Sequence, residues 1–254
     1  MSMLMQEARI GRLLKEIQRL SVCKTWRTPD IESRLLGDAD WQPFANGGFW
    51  GGVDTQDKWR EFRLQAVCPE DLGGCRLELQ ILTGQEGEWD ATNPQFQAYV
   101  NGRAAQAFDV NHTSLVLSDA PQAGEAWQVD LTGYSGTAAV EVRLDAVLRS
   151  VDPEMLGLYY DLLVPWEAAQ LLDADDRRRL VGLEILNSAV NLLDLRQPYS
   201  AAMKASVAEA RTFLKERYYG EFCLKEPEVI ADCVGHTHID VAWQWDIEQS
   251  RHKD

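Results

Sequence analysis

Apolar positions recur at helical spacing at the start of the chain. Leu4, Ala8, Ile10, Leu13, Leu14, Ile17 and Leu20 form one stripe, with Glu7, Arg12, Lys15, Glu16 and Arg19 on the other side, which predicts an amphipathic helix. Residues 21–29 end it. A helix of this length cannot stand alone in water, so it must pack on something later in the chain. From residue 41 the period shortens from about 3.6 residues to about 2. Arg76-Leu-Glu-Leu-Gln-Ile-Leu and Val140-Glu-Val-Arg-Leu-Asp-Ala-Val-Leu alternate cleanly, and Trp59-Arg-Glu-Phe-Arg-Leu-Gln-Ala-Val sets Trp59, Phe62, Leu64 and Val67 mostly out of phase with charged neighbours. Gln97-Ala-Tyr-Val runs into Asn101-Gly102, a hairpin-turn dipeptide. Such runs, roughly ten residues apart with Gly, Asn, Asp and Pro between them, predict an antiparallel, jelly-roll-like β-sandwich.

The helical period returns near residue 152. Pro153-Glu154 opens a helix through Leu156, Tyr159, Tyr160, Leu162 and Leu163, with a kink or restart expected at Pro165. Asp173 is expected to cap a second helix carrying Leu180, Leu183, Leu186, Val190 and Leu193. Ser200 is expected to cap a third with Met203, Val207, Ala210 and Leu214, and Gly220 to stop it. The fold class is α+β and multidomain. Residues 1–38 read as a helix and linker, 39–151 as the sandwich, 152–225 as a helical segment, and 226–254 as the start of an α/β catalytic domain.

Composition narrows the partners. Among 254 residues, 25 Lys and Arg face 40 Asp and Glu, for a net charge of −15. That balance repels phosphate backbones and argues against nucleic acid and anionic membrane. No apolar run approaches the ~18 residues that span a bilayer, and Met-Ser-Met-Leu-Met-Gln-Glu has none of the features of a signal peptide. The expectation is a soluble, cytoplasmic protein. Its five cysteines are scattered without a Cys-x-x-Cys pair, which reads as reduced thiols; a Cys68–Cys75 disulfide is the alternative. Seven of nine tryptophans precede Pro198. Most are expected in the sheet core, although exposed tryptophans on an acidic surface suit a sugar-handling domain.

The chemistry concentrates near the end. Val229-Ile-Ala-Asp-Cys-Val-Gly-His-Thr-His-Ile-Asp-Val-Ala-Trp reads as an apolar strand running into polar residues, and α/β enzymes place catalytic groups at such strand ends. Side chains alternate along a strand, so His236, His238 and Asp240 share one face, roughly 7 Å apart per pair. Two of the three can bind a divalent ion directly while the third supports from behind. Hydrogen-bonded histidines at a polar strand end are the competing structural reading. Three metal-enzyme classes use similar strings. The metallo-β-lactamase pattern has a histidine directly after the aspartate, where this chain has Val241. Amidohydrolases use a bare His-x-His, which His236 and His238 satisfy.

The third class matches more residues. Gly235-His-Thr-His-Ile-Asp-Val-Ala-Trp243 closely resembles the motif that opens the catalytic domain of glycoside hydrolase family 38, the zinc-dependent retaining α-mannosidases. Phe108-Asp-Val-Asn-His112 resembles a string in the β-sandwich that precedes that domain in the bacterial and cytosolic-type branch. Leu156-Gly-Leu-Tyr-Tyr-Asp161 resembles the helix that follows the sandwich. The resemblance covers essentially the whole chain. It implies His238 and Asp240 as zinc ligands, Trp243 as the aromatic surface under the sugar, and His236 in a supporting role. It implies that the remaining ligands, the nucleophile and the acid/base carboxylate lie downstream. Gln244 departs from the apolar residue expected after the motif, which puts local packing in doubt.

The resemblance also implies a mechanism. A retaining glycosidase needs two carboxyl groups roughly 5 Å apart. Zinc would grip vicinal hydroxyls and favour the distorted ring of an oxocarbenium-like transition state. The expected substrate is a mannose-containing glycan, and a homo-oligomer is expected of the full-length enzyme. On this reading the chain is an amino-terminal fragment, inactive by itself and binding zinc weakly or not at all. Two alternatives stand: a carbohydrate-binding β-sandwich module with a helical appendage, and a different metal-dependent hydrolase of the amidohydrolase type.

Overall fold

A computed structural model describes residues 3–28, 30–88 and 93–223. They form two compact units.

The helical unit joins both ends of the described chain. Helix α1 (Met3–Ser21) meets α2 (Pro153–Gln170), α3 (Arg177–Asn191) and α4 (Ala201–Leu214), with a π-helical extension at Lys215–Phe222. The stripe of α1 is buried at Ile10, Leu14, Ile17 and Leu20, against Leu158 and Leu162 of α2, Leu183 and Leu186 of α3, and Val207 and Leu214 of α4. The Asp152 carboxylate caps α2 by accepting from the Glu154 and Met155 N–H groups, satisfying donors that have no partner within the helix. Ser200 caps α4 as expected, through the Met203 N–H.

Three local expectations change. The cap of α3 is Asp176, which accepts from the Arg178 N–H; Asp173 instead takes part in the preceding turn, its carbonyl bonded by the Asp176 N–H. Helix α2 runs through Pro165 without restarting. Proline lacks the N–H that would bond the Asp161 carbonyl, and the Tyr219 hydroxyl donates to that carbonyl at 3.1 Å instead. Burial, followed by the charge of Asp161, pushes the Tyr219 pKa up to about 12, so the phenol keeps the proton it donates. Gly220 does not stop the last helix, because the chain widens to π-helical turns that reach Phe222.

The second unit is a β-sandwich. One sheet has the order β3 (Gln42–Phe44), β2 (Ile31–Leu35), β5 (Trp59–Val67), β10 (Ala126–Tyr134), β7 (Gln95–Val100), β8 (Arg103–Phe108). The other has β1 (Val22–Arg27), β11 (Glu141–Val151), β6 (Arg76–Leu82) and β9 (Ser114–Ser118), with β4 (Gly48–Gly51) also pairing β11. Residues 22–35, read above as linker, therefore supply β1 and β2. Their runs of five or six residues are too short for alternation to stand out. Asn101 and Gly102 take positive φ values of 50° and 76°, the two-residue turn that the dipeptide predicts between β7 and β8.

One shared core fills the sandwich. Phe62, Leu64 and Ala66 of β5, Val129 and Leu131 of β10, Leu77 and Leu79 of β6, and Leu144 and Ala146 of β11 are all buried in it. Trp50 and Trp127 belong to the same core. Cys68 is a buried free thiol, so the disulfide alternative is not formed. Among the described residues, no helix is long and apolar enough to cross a membrane.

Candidate functional site

His236, His238, Asp240 and Trp243, and the barrel strand expected to carry them, lie outside the described residues. Among the described residues no group of three or more His, Cys, Asp and Glu side chains is placed to hold a metal ion.

The Asp109–His112 string forms the connection between β8 and β9. Asp109 Oδ1 accepts from the backbone N–H groups of Asn111 and His112, at 2.7 and 2.6 Å, and His112 Nδ1 lies 2.9 Å from Oδ2. Burial raises the Asp109 pKa, but the bonds from the His112 ring and the two N–H groups outweigh it and the net shift is down. This is an Asx-type turn. The imidazole points outward with 76% of its side chain exposed, so its role is to shape the loop.

The buried carboxylates also resolve into structure. Glu78 sits between Arg76 and Arg149, and Asp145 between Arg27 and Arg143, at 3.0 and 3.4 Å for the second pair. Both are buried charges paired on two sides. In the helical unit, Arg211 lies across Gly157, where a Cβ would fall 2.6 Å from the guanidinium carbon. Arg211 binds Asp161 at 2.9 Å and Glu154 at 2.7 Å, joining α4 to α2.

A larger opening lies at the edge of the sandwich, with a volume of about 650 Å³, within the usual range of ligand pockets. Trp26 and Arg27 enter from β1, Asp30 from just before β2, and Glu32 from β2. Strand β5 gives Arg63, Gln65 and Val67, β10 gives Gln128, and Leu64 and Leu148 form the floor nearest the core. The opening lies where β2 begins, with Ile31 opposite Leu64, so among the described residues no strand pairs residues 65–67 of β5 on that edge. Alternation explains the polar rim: Leu64 and Ala66 face the core, so Arg63 and Gln65 must face outward.

The rim is held in place by its own bonds. Across four strands Glu32, Arg63, Asp130 and Tyr99 form one row. Asp130 accepts from Arg63 Nε at 2.7 Å and from Gln128 Nε2 at 2.7 Å. The Arg63 guanidinium also lies 4.4 Å from the centre of the Trp41 ring, which Arg34 approaches at 4.5 Å. Arg27 is held by Asp145. None of these residues stands out in the sequence, where they read as the ordinary outward half of an alternating strand. Trp26 was the available signal, a large aromatic in a segment too polar to bury it.

No protein-family model matches the chain. The alpha-mannosidase of Saccharomyces cerevisiae is similar to it, 26% identical over 111 residues that cover 40% of this chain and 10% of that protein. The chain thus spans a small part of the length of the relative it matches. Among solved structures, the β-D-glucuronidase of Dictyoglomus thermophilum is similar over 51% of this chain and 28% of its own, at 8% identity and a TM-score of 0.38. The β-glucuronidase of Faecalibacterium prausnitzii covers 51% and 32% at 11% identity and a TM-score of 0.38. The β-D-mannosidase of Dictyoglomus thermophilum covers 44% and 16%, at 12% identity and 0.31.

Proposed function

We propose that this chain is a glycoside-hydrolase-related segment and, more specifically, an amino-terminal part of a zinc-assisted, retaining α-mannosidase acting on mannose-containing glycans. The similarity to the yeast alpha-mannosidase carries the reading, and the string His236-Thr-His-Ile-Asp240 supports it. His238 would offer an imidazole nitrogen and Asp240 an anionic oxygen, donors suited to zinc. His236 would orient that pair, and Trp243 would offer an indole face to the apolar side of a pyranose. Zinc, when bound, would grip vicinal sugar hydroxyls as a Lewis acid. A catalytic zinc normally takes about three protein ligands, so these two call for further donors, as cleavage calls for two carboxyl groups.

The test uses the 254-residue chain itself. It is expected to leave an aryl α-mannoside intact and to take up zinc only weakly in competition with a chromophoric chelator. His238→Ala and Asp240→Ala are each expected to remove that uptake. Turnover of the mannoside by this chain would overturn its reading as an incomplete part of the enzyme, and zinc uptake indifferent to both substitutions would overturn the metal assignment.

A further inference from the structure

We infer that the cleft at the edge of the sandwich binds a neutral oligosaccharide of the α-mannoside class, separately from any catalytic centre. The mannose identity rests on the function proposed above; the carbohydrate chemistry rests on the cleft.

Charge excludes the simpler ligands. The two guanidinium groups at the rim are already compensated, Arg27 by Asp145 and Arg63 by Asp130, so they offer no net positive charge to a phosphate or sulfate. The carboxylates of Asp30 and Glu32 are exposed and make no ion pair among the described residues. They repel anions, and the chain's net charge of −15 adds to that. What remains is a set of flat hydrogen-bonding groups: two carboxylates that accept and the Gln65 and Gln128 carboxamides that both donate and accept. Vicinal hydroxyls match such groups because each hydroxyl donates once and accepts twice. The half-buried Trp26 indole supplies what the C–H face of a pyranose needs. Gln128 is held through Asp130, so little side-chain freedom is lost there on binding. Beyond Leu64 that edge of β5 pairs with no strand among the described residues, which lets an extended ligand lie along it.

The decisive measurement is calorimetric titration of the 254-residue chain with α-mannotriose, maltotriose and mannose 6-phosphate. Mannotriose is expected to bind, and Trp26→Ala to weaken it at least tenfold. Because Trp26 also packs on the core, Glu32→Ala, at a solvent-exposed position, is the second variant and is expected to weaken binding by a similar factor with an unchanged melting temperature. No binding of either trisaccharide, or binding indifferent to both variants, overturns the cleft. Tighter binding of mannose 6-phosphate than of the neutral sugars overturns the charge argument. Binding of maltotriose alone overturns the mannoside class while leaving a glycan cleft, and zinc uptake through His238 and Asp240 reads the catalytic proposal separately.

Discussion

Asn46 lies in a turn, yet its carboxamide does the work of a strand. Its Nδ2 donates to the carbonyls of Thr28 and Ala146, both at 2.8 Å, and its Oδ1 accepts from the Ala146 N–H at 2.8 Å. Strand β4 accompanies β11 only as far as Leu144, and the Thr28 N–H reaches the Ala146 carbonyl from the end of β1 at 3.3 Å. The side chain fills the rung between them. Thr28 and Ala146 are buried, at 1% exposure and 0%, so losing the amide leaves polar backbone without water. Asn46→Ala is expected to cost about 3 kcal/mol in urea unfolding of the sandwich, because a buried unsatisfied group costs about 1–3 kcal/mol. Asn46→Asp should cost at least as much, since a carboxylate turned toward two carbonyls replaces a donor with a negative charge. A cost under about 0.5 kcal/mol, the range of ordinary surface substitutions, would contradict this account.

At the scale of elements, β10 shows how one small residue sets the packing of its neighbours. A Cβ at Gly133 would lie 2.6 Å from the Phe96 ring and 3.1 Å from Trp50. Those rings pack with Phe62 at centroid distances of 5.1 to 6.2 Å. Alanine in place of glycine inside a strand normally helps by ~0.5–1 kcal/mol. Here Gly133→Ala should instead destabilise the sandwich by about 1–3 kcal/mol through overpacking, read as a lower thermal midpoint. The same scale separates what sequence can and cannot reveal. Long periodic runs such as Arg76–Leu82 and Glu141–Val151 were legible because one face of each is buried. The cap of α3 was not, since Asp173 and Asp176 are equally good cap types and only helix geometry chooses between them. The Asp161 carbonyl that Pro165 leaves without its helical partner is met by Tyr219, a residue far along the chain that local pattern cannot see.

For the whole molecule, charge sets the response to acid. Net charge of −15 favours expansion by self-repulsion, and mild acidification relieves part of it. Several carboxylates oppose further acidification. Burial raises the pKa of Glu86, but the Thr83 and Gly84 N–H bonds outweigh it and the net shift is below 4.5. Asp109 is likewise lowered from 3.8. The Arg196 side chain, then its backbone N–H, lowers Asp194 to about 2. A depressed folded-state pKa gives stability that is present above the unfolded value and lost as pH falls through the folded one. Thermal midpoints should therefore hold from neutral pH to about 5 and fall between pH 4.5 and about 2; a midpoint rising across that window would contradict the assignment. The candidate cleft was hidden at this scale too. Its walls come from β1, β2, β5 and β10, and the start of β2 opposite Leu64 brings them to one opening.

The Asn46 amide also bears on how the protein ages. Asn46 is followed by Gly47, the dipeptide in which a bare backbone nitrogen most readily attacks the side-chain carbonyl and expels ammonia. While the fold is intact, hydrogen bonds at 2.8 Å hold that carboxamide away from the attack. Each excursion to the unfolded state releases it, and the aspartate or isoaspartate that results cannot rebuild the rung. Stored or heat-cycled material should thus accumulate chains that no longer return to the sandwich, with a lesion in the peptide that carries Asn46, distinct from any at the exposed Asn101-Gly102 turn.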